Sequence, residues 1–333
     1  MEAGRPVEGS LSVLFICSGK NRDTISPVVS AQGESIRKFG VDIEYFPVGG
    51  KGIGAYFKAV FRVKKHLRHR HYDIIHAHYG LSAIAACLVC RNIPLVVSFM
   101  GDDLLGSNRI DGKVKLLSGW FTRLNAFMAE KHYDFVIVKS EEMLTRLKKG
   151  TKAIVIPNGV DLDVFYPLRW SDMVRNVGFD KTAGNILFVG DTSRPEKNFS
   201  LATECVRRAG GNLYLHVVTG KDQSELCRYY NAADALLLTS YHEGSPNVVK
   251  EAMACNCPVV STMVGDVGKL SEGVTGHFMT TFDEADIAAK LIAAVKFRSE
   301  TGETDGRQRI IALKMDSKSV AERIISIYEG LLS

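Results

Sequence analysis

Short apolar runs alternate with longer amphipathic segments along the first half of the chain. The run LSVLFICSG ends at Gly19, and the helix-like stretch SPVVSAQGESIRKFG follows it and stops at Gly40. Four more apolar runs, VDIEYFPV, YDIIHAHYG, IPLVVSFMG and DFVIVKS, are separated by amphipathic segments such as AYFKAVFRVKKHLRH. Apolar runs of about 4–8 residues between helical patterns indicate a parallel sheet that is covered on both faces. The pattern therefore predicts a doubly wound α/β domain.

The same pattern starts again after the loop-rich stretch IPNGVDLDVFYPLRW. The strand-like runs NILFVGD, LYLHVVTG, ADALLLTS and PVVST follow, and the last segment, SVAERIISIYEGLLS, has the pattern of an amphipathic helix. We predict two Rossmann-like domains, residues 1–165 and 166–315, and a helix over residues 316–333 that crosses back to the first domain. Ligands of such sheets bind at the carboxyl ends of the strands, so we expect the site in a cleft between the two domains.

The composition changes this picture through its charge. The chain has 333 residues, of which 46% are hydrophobic and 24% charged, which is typical of a soluble globular protein and excludes a fibre or a mainly disordered chain. The net charge of +5 is unevenly divided. Residues 1–167 hold 23 Lys and Arg against 16 Asp and Glu, whereas residues 168–333 hold 19 against 21. The basic first half points to an anionic partner.

The ends of the chain and its cysteines favour a cytoplasmic protein. The N-terminal residues MEAGRPVEGS lack the pattern of a signal peptide, and no run approaches the ~18 apolar residues of a spanning helix. Seven cysteines, most of them in apolar runs, are typical of buried reduced thiols. Cys87 and Cys90 have the spacing of a redox or zinc pair, but their stretch is helical and no second such pair exists, so a structural role is favoured.

The stretch ALLLTSYHEGSPNVVKEAMACNCPVVST carries the clearest chemistry. We expect a strand that ends at Ser240, a helix with Ser245 as its N-cap and Pro246 as its first residue, and a helix end at Asn256. Glu243 and Glu251 then flank the helix N-terminus, where free N–H groups and the helix dipole favour a phosphate. Each carboxylate could hold hydroxyl groups at one end of a bound diphosphate. The simpler alternative is that both glutamates only cap and solvate the helix start.

A second candidate lies in the run FVGDTSRPEK. A strand ends at Gly190, and the following loop presents Arg194 and Lys197. Arginine binds phosphate through two parallel hydrogen bonds, and lysine supplies a compact charge. Taken alone this is a common solvated loop. Between a strand and a helix it is a candidate phosphate clamp.

The order of these motifs strongly resembles the retaining GT-B glycosyltransferases of family 4. The resemblance rests on VGDTSRPEK, then EGSPNVVKEAMA, then PVV, and on the run IPNGVD, which is similar to the junction between the two domains of that family. In the first half, DIIHAH, the GDD loop after a strand and a serine after the last strand agree less tightly. The resemblance covers nearly the whole chain and implies a GT-B fold.

The resemblance also implies roles for individual residues. Arg194 and Lys197 would neutralise the leaving diphosphate, Glu243 would hold the hydroxyls of the donor sugar, and Glu251 would hold the ribose diol. The further donor-binding candidates are Gly190, Gly220, Gly19 and the segment of Ser245, Pro246, Asn247 and Val248. The candidates near the acceptor or the sugar are His78, Asp103 and Lys20.

The implied reaction is transfer of a sugar, with retention, from a nucleotide-diphosphate sugar to a glycan or lipid-linked glycan in polysaccharide or glycolipid synthesis. UDP is the expected nucleotide, and the resemblance implies neither a metal nor a cofactor. Asp161-Leu-Asp163 imitates a metal-binding motif of other transferases, but it belongs to the interdomain loop. Other GT-B activities (a nucleotide-sugar epimerase or a phosphorylase) and a catalytically silent GT-B binding subunit remain alternatives. A two-lobed periplasmic sugar-binding protein is disfavoured, because no signal peptide is evident.

The sequence departs from the family pattern at three places. Met100 stands where a histidine is common before the first-domain loop, so either His78 or Asp103 supplies polarity there or the contact is absent. We expect His76 and His78 to face opposite sides of their strand, so that only one reaches the cleft. A helix begins almost directly after Gly220, where the family usually has another strand and helix. The loop that normally contacts the nucleotide base is therefore changed, and the sequence does not identify the base. The third departure is Gly265-Asp266, where two glycines commonly occur.

One stretch of the first half concentrates basic residues beside aromatic ones. Its basic residues are Lys58, Arg62, Lys64, Lys65, Arg68 and Arg70, and its aromatic residues include Tyr56, Phe57 and Phe61. A basic amphipathic helix over residues 56–71 suggests contact with an anionic membrane, on the inner face if the protein is cytoplasmic. The alternative is a solvated helix face. No motif supports nucleic-acid binding.

Overall fold

The computed structural model describes residues 10–19, 25–49, 53–90, 92–106 and 116–333. These residues form two compact units. The first unit takes in the described residues up to Gly159 together with Ser317–Ser333, and the second unit is Val160–Asp316.

The first unit is built on a parallel sheet of six strands in the order β2-β1-β3-β4-β5-β6. The strands are β1 (Ser12–Gly19), β2 (Asp42–Gly49), β3 (Ile74–His78), β4 (Leu95–Ser98), β5 (Phe135–Val138) and β6 (Ala153–Val155). Its helices are α1 (Pro27–Arg37), α2 (Ile53–His66), α3 (Gly80–Cys87), α4 (Asp102–Leu105), α5 (Leu116–Lys131) and α6 (Glu141–Thr145). Two clusters of buried apolar side chains use alternate residues of β1, so the sheet is covered on both faces as the apolar runs predict.

The second unit has a parallel sheet of five strands in the order β11-β10-β9-β7-β8. The strands are β7 (Gly184–Val189), β8 (Leu213–Val218), β9 (Ala235–Leu238), β10 (Val259–Thr262) and β11 (His277–Thr280). Its helices are α7 (Trp170–Val177), α8 (Phe199–Ala209), α9 (Gln223–Ala232), α10 (Asn247–Ala254), α11 (Val267–Ser271), α12 (Glu284–Thr301) and α13 (Gly306–Ala312). Buried clusters again lie on both faces of the sheet. The predicted fold class, two doubly wound α/β halves, is confirmed.

The last helix, α14 (Ser317–Leu332), packs on the first unit. Its apolar face, which includes Ile324 and Tyr328, is buried in the same cluster as one face of β1. The Tyr328 hydroxyl also forms a hydrogen bond of 2.5 Å with Nδ1 of His76, and both side chains are fully buried. A polar contact inside an apolar cluster fixes where the helix can sit, because either partner alone would be costly to bury.

We expect Tyr328→Phe to lower the free energy of unfolding by about 1–3 kcal/mol, because Nδ1 of His76 then loses its buried partner. Urea denaturation followed by circular dichroism measures the change. Tyr214→Phe is the matched control, since Tyr214 is 53% exposed and should shift the midpoint little. Equal midpoints for the two variants would contradict the role of the Tyr328 hydroxyl.

Candidate functional site

Three neighbouring strands of the second unit end at the same edge of their sheet. The strands β7, β9 and β10 are parallel and adjacent, so the loops that follow them lie side by side. The loop after β7 carries Arg194 and Lys197, the loop after β9 carries Glu243, and the loop after β10 carries Gly265. The sequence candidates that are far apart along the chain therefore meet at this edge.

Lys197 and Glu243 form the closest contact between the loops. The Lys197 Nζ lies 2.6 Å from Oε1 of Glu243, and only 15% and 19% of the two side chains are exposed. The Ser240 hydroxyl donates to the same carboxylate oxygen at 2.9 Å, and the Thr239 hydroxyl donates to the Lys197 carbonyl at 3.0 Å. The ion pair is thus held by two hydroxyls from the end of β9, and no hydrogen bond of the described residues occupies Oε2 of Glu243.

Arg194 lies in the same loop but is more exposed. Its guanidinium pairs with Glu196, with Nε 2.6 Å from Oε1, and half of the side chain is exposed. Gly190 begins the loop with a φ of 150°, a conformation that side chains rarely adopt, and packs against the Lys197 alkyl chain. The loop therefore presents one largely buried cation and one more exposed cation, each paired with a glutamate.

The start of α10 differs from the prediction. Pro246 occupies the N-cap position, the helix begins at Asn247, and no side chain caps it. Ser245 is not the N-cap, because its hydroxyl donates instead to Oδ2 of Asp266 at 2.6 Å and accepts from the Nζ of Lys250 at 3.0 Å. Within the described part of the chain no side chain caps this helix, which leaves the N–H groups of its first turn available to a phosphate.

Lys250 is a member of the site that the sequence analysis missed. Its side chain is 1% exposed, although it lies in the amphipathic segment NVVKEAMA, where a lysine is normally expected on the solvent side. Burial lowers the pKa of Lys250 to about 8, and the carboxylates of Asp266 and Glu251 counter that shift. A third cation is therefore buried on α10, the helix whose N-terminus forms the candidate phosphate site.

Gly265 and Asp266 explain one departure from the family pattern. A Cβ on Gly265, whose φ is 55°, would lie only 2.7 Å from the carbonyl oxygen of Glu243, so this position requires glycine. Asp266 is accommodated because Ser245 and Lys250 compensate its carboxylate, and burial raises its pKa. Gly244 and Glu243 are thereby fixed against the loop that follows β10.

Glu251 faces α9 at the other side of α10. Its Oε2 accepts a hydrogen bond of 2.7 Å from the hydroxyl of Tyr230, which is fully buried. Burial raises the pKa of Glu251, while the Tyr230 hydrogen bond and the Lys250 charge act in the opposite direction. The tyrosine, which the sequence analysis did not single out, fixes the orientation of this carboxylate.

The remaining donor candidates lie around this edge. Gly220 follows β8, next to β7, with a φ of 69°. Asn247 opens α10, and its side-chain oxygen is buried without a partner among the described residues. Val248 packs on the buried cluster beneath the helix. The helix ends at Ala254, slightly before the predicted end at Asn256, and Asn256 adopts the expected left-handed conformation with a φ of 53°.

The first-unit candidates also end neighbouring strands. Gly19 ends β1, His78 ends β3, and Asp103 lies in α4 just after β4, while Lys20 lies outside the described residues. Asp103 is fully buried and accepts backbone N–H bonds from Met100, Gly101 and Gly80. Burial raises the pKa of Asp103 to about 6 despite these bonds. Its carboxylate therefore shapes the loop.

The expectation that His76 and His78 face opposite ways is wrong. Residues two apart on a strand share a face, and the two rings stack with centroids 4.3 Å apart. His78 is 1% exposed and packs on Phe15, and neither ring nitrogen has a hydrogen-bond partner among the described residues. Burial, with the Lys139 charge, lowers the pKa of His78 to about 3, so the ring is neutral.

Other features of the described residues concern the remaining site types. All seven cysteines are free thiols, and both Cys87 and Cys90 are partly exposed. No group of three metal-ligating side chains occurs within the ranges given above. Nor does any helix of those ranges have the length and apolar character needed to cross a membrane. The stretch of basic residues is only partly helical, since α2 ends at His66 and both Arg68 and Arg70 follow it.

Two family models together cover most of the chain. The family model described as Glycosyltransferase Family 4 matches residues 13–164, and that of Glycosyl transferases group 1 matches residues 180–296. A D-inositol 3-phosphate glycosyltransferase of Nocardiopsis dassonvillei is 23% identical over 318 residues, which cover 76% of this chain and 71% of that protein. A protein of the same name from Frankia alni is 26% identical over 272 residues, covering 66% and 65%. The chain thus spans about two thirds of these curated relatives.

Solved structures share the fold. Sucrose-phosphate synthase from Thermosynechococcus elongatus has a TM-score of 0.76 at 19% identity, covering 96% of this chain and 99% of that one. Anabaena HepE, solved in complex with UDP and glucose, has a TM-score of 0.71 at 16% identity, covering 96% and 100%. These similarities show the GT-B fold. The two matched family models show that the chain belongs to glycosyltransferase family 4.

The buried Lys250 predicts a particular pH dependence of stability. Its pKa in the folded protein, about 8, is below its ordinary value of 10.5, so between these values the unfolded chain binds more protons. This residue therefore adds stability as the pH rises from 8 to 10, by up to about 1.4 kcal/mol per pH unit.

We expect Lys250→Met to lack this gain, so that its unfolding free energy falls behind that of the wild type as the pH rises. Urea denaturation at a series of pH values measures the difference. Lys290→Met, which removes a more exposed lysine from α12, is the control. A difference between wild type and Lys250→Met that does not change with pH would contradict the buried charge.

Proposed function

We propose that the protein transfers a sugar from a nucleotide-diphosphate sugar to a glycan or lipid-linked glycan, with retention at the anomeric carbon. The ion pair of Lys197 and Glu243 carries this proposal, because it sets a cation for a diphosphate beside a carboxylate for sugar hydroxyls. The proposed nucleotide is UDP, and the Anabaena structure that holds UDP and glucose supports it. The proposed setting is polysaccharide or glycolipid synthesis in the cytoplasm.

Charge explains how this arrangement would act. When the glycosidic bond breaks, negative charge develops on the leaving diphosphate, and cations already in place stabilise it without reorganisation. Lys197 is held in place by Glu243, and Arg194 can turn from Glu196 toward the ligand. The free N–H groups of α10 add the positive end of a helix dipole. With these groups, transfer would proceed without a metal ion.

Glu251 has a separate proposed role. Its carboxylate lies on α10 about one turn from the helix start and is oriented by Tyr230, so it would accept hydrogen bonds from the ribose diol. In this assignment Glu243 binds the hydroxyls of the sugar and Glu251 binds the ribose of the nucleoside, with the diphosphate between them. The backbone of Ser245–Val248 would cap the diphosphate, and the loop around Gly220 would face the base.

We expect Lys197→Ala and Arg194→Ala to lower kcat about 100-fold or more, because each removes charge that stabilises the leaving diphosphate. Glu243→Gln should lower kcat comparably while UDP still binds. Transfer from UDP-sugars to glycan acceptors is measured by product analysis, with a chelator present throughout. Lys290→Ala removes another ion-paired lysine of the same unit and should keep full activity.

Product analysis also tests the type of reaction. An epimerase would convert the donor without an acceptor, and a phosphorylase would consume free phosphate. Full transfer activity in all three site variants would refute the site assignment. Tight UDP binding without any turnover would favour a binding subunit instead.

We propose further that the protein attaches to the surface of an anionic membrane through the basic stretch of residues 56–71. The structure supports this with two aromatic side chains of α2, since Phe57 is 67% exposed and Phe61 is 74% exposed. Aromatic rings beside exposed lysines suit the boundary between lipid headgroups and acyl chains. The acceptor would then be reached at the inner face of the membrane.

The variant with Lys58→Gln, Lys64→Gln and Arg68→Gln should lose affinity for anionic vesicles about 100-fold, since each basic residue near the surface contributes about 1 kcal/mol. Flotation with and without anionic lipid measures it. The matched control is Arg146→Gln, Lys149→Gln and Lys152→Gln, three exposed basic residues of the same unit. An equal loss in both triple variants would contradict contact through this stretch.

A further inference from the structure

A separate concavity lies beneath the end of α2, on the edge strand of the first sheet. It has a volume of about 590 Å³, within the range of roughly 300–1,000 Å³ that small-ligand sites occupy. Glu44 and Phe46 of β2 line one side of it. Five basic or titratable side chains line the other side: Arg62, Lys65, His66, His69 and Arg70. We call these seven residues the basic pocket.

The helix period accounts for the convergence of the basic side chains. Lys65 and His66 lie three and four residues after Arg62, and His69 lies three residues after His66, so α2 and the turn after it direct them to one face. Lys64 of α2 and Arg68 of the following turn do not line the pocket. The charge of this stretch is therefore divided between an exposed side and a concave side.

The carboxylate in the lining is already occupied. Glu44 receives a hydrogen bond of 2.6 Å from the Tyr72 hydroxyl, and it lies 2.7 Å from Arg70 and 3.1 Å from His66. Arg70 also pairs with Asp42 at 2.8 Å. These contacts hold the Arg70 guanidinium in place, and the Glu44 carboxylate is already paired.

Two other cations of the pocket have no acidic partner within the described part of the chain. Arg62 lies over the ring of Phe46, 5.0 Å from its centroid, which orders the guanidinium without neutralising it. Lys65 is exposed at the rim. Arg70 is already paired with Glu44 and Asp42, so Arg62 and Lys65 are the two cations of the pocket that an anion of charge two would balance.

We propose that the basic pocket binds a phosphomonoester group. An ordered arginine offers paired hydrogen bonds to phosphate oxygens and a lysine offers a mobile point charge, which together suit a tetrahedral dianion. The pocket is distinct from the strand ends, because Glu44 lies five residues before Gly49, the partner of Gly19, or about 16 Å along the strand. The site is independent of the proposed donor site and of diffuse attraction to a membrane.

Basic residues near the end of a helix also stabilise its negative pole, and that alternative needs no ligand. It accounts for Lys64 and Lys65 equally, since both lie in the last turn of α2. It does not account for the ordering of Arg62 on Phe46 or for a ligand-sized concavity between them. The experiment therefore compares the two sides of the same helix.

Isothermal titration calorimetry with glycerol phosphate at constant ionic strength tests the proposal. Arg62→Gln with Lys65→Gln should weaken binding about tenfold or more, equivalent to about 1.4 kcal/mol. Lys64→Gln with Arg68→Gln removes the same charge from the exposed side and should change binding less than about twofold. Both double variants keep the donor clamp, so phosphate bound there contributes equally. Circular dichroism checks that both remain folded.

Equal losses in the two double variants, or no binding of glycerol phosphate to the wild type, would overturn the proposal. Vesicles of phosphatidylcholine with and without phosphatidic acid then identify the source of the phosphate group. A larger loss of vesicle binding for the pocket pair than for the exposed pair assigns the site to a lipid headgroup. Equal vesicle losses together with a pocket-specific loss of glycerol phosphate assign it to a soluble phosphate ester.

Discussion

The parallel pairing of β7, β9 and β10 is the constraint on which the candidate site depends. Three strands that run in the same direction release their loops at one edge, and residues 190–197, 240–246 and 263–266 can meet only there. The close approach of Gly265 to the carbonyl group of Glu243 ties two of these loops together, and the ion pair of Lys197 with Glu243 ties in the third. A shift of one loop must therefore disturb the others.

The same edge also resolves an electrostatic problem. Burying Lys250 is costly unless its charge is compensated, and Asp266 and Ser245 supply that compensation across the loops. The lysine keeps its charge at neutral pH, since burial lowers its pKa only to about 8. A positive charge within α10 adds to the field at the helix N-terminus, where the phosphate groups are proposed to bind. The polar network of Lys250, Asp266 and Ser245 thus holds the loops together and contributes a positive electrostatic potential at the start of α10.

Sequence patterns predicted the parts of the structure that depend on local periodicity and motif spacing. The buried strands follow from apolar runs, and the meeting of Lys197 with Glu243 follows from their places after adjacent strands. The N-cap prediction that was wrong and the buried lysine that was missed both depended on tertiary contacts. Ser245 has the residue type of an N-cap, but Asp266, 21 residues away, takes its hydroxyl. Lys250 lies in a segment whose pattern gives no sign of a buried charge, because the Asp266 carboxylate that compensates it comes from the loop after β10.

The face shared by His76 and His78 is a different case. It follows from the two-residue period of a strand, and the stacked rings show it directly. What the period does not give is that both rings are buried, because that depends on the packing of α14 and of Phe15. Tyr328 forms a hydrogen bond with one ring nitrogen of His76, whereas neither ring nitrogen of His78 has a partner among the described residues. The same strand pattern therefore accommodates one structural histidine and one unsatisfied one.

The uneven charge of the two halves also has a structural explanation. In the second unit the important cations are each matched by an acid: Lys197 by Glu243, Arg194 by Glu196, and Lys250 by Asp266. Because each of these cations has an acidic partner in the same unit, they add nothing to the net charge of that half. In the first unit, α2 and the turn after it carry exposed basic residues, and their excess remains visible in the count. Net charge by half therefore reports the cations left for a partner that the fold does not supply, and in this chain those belong to the first unit, whereas the proposed donor site belongs to the second.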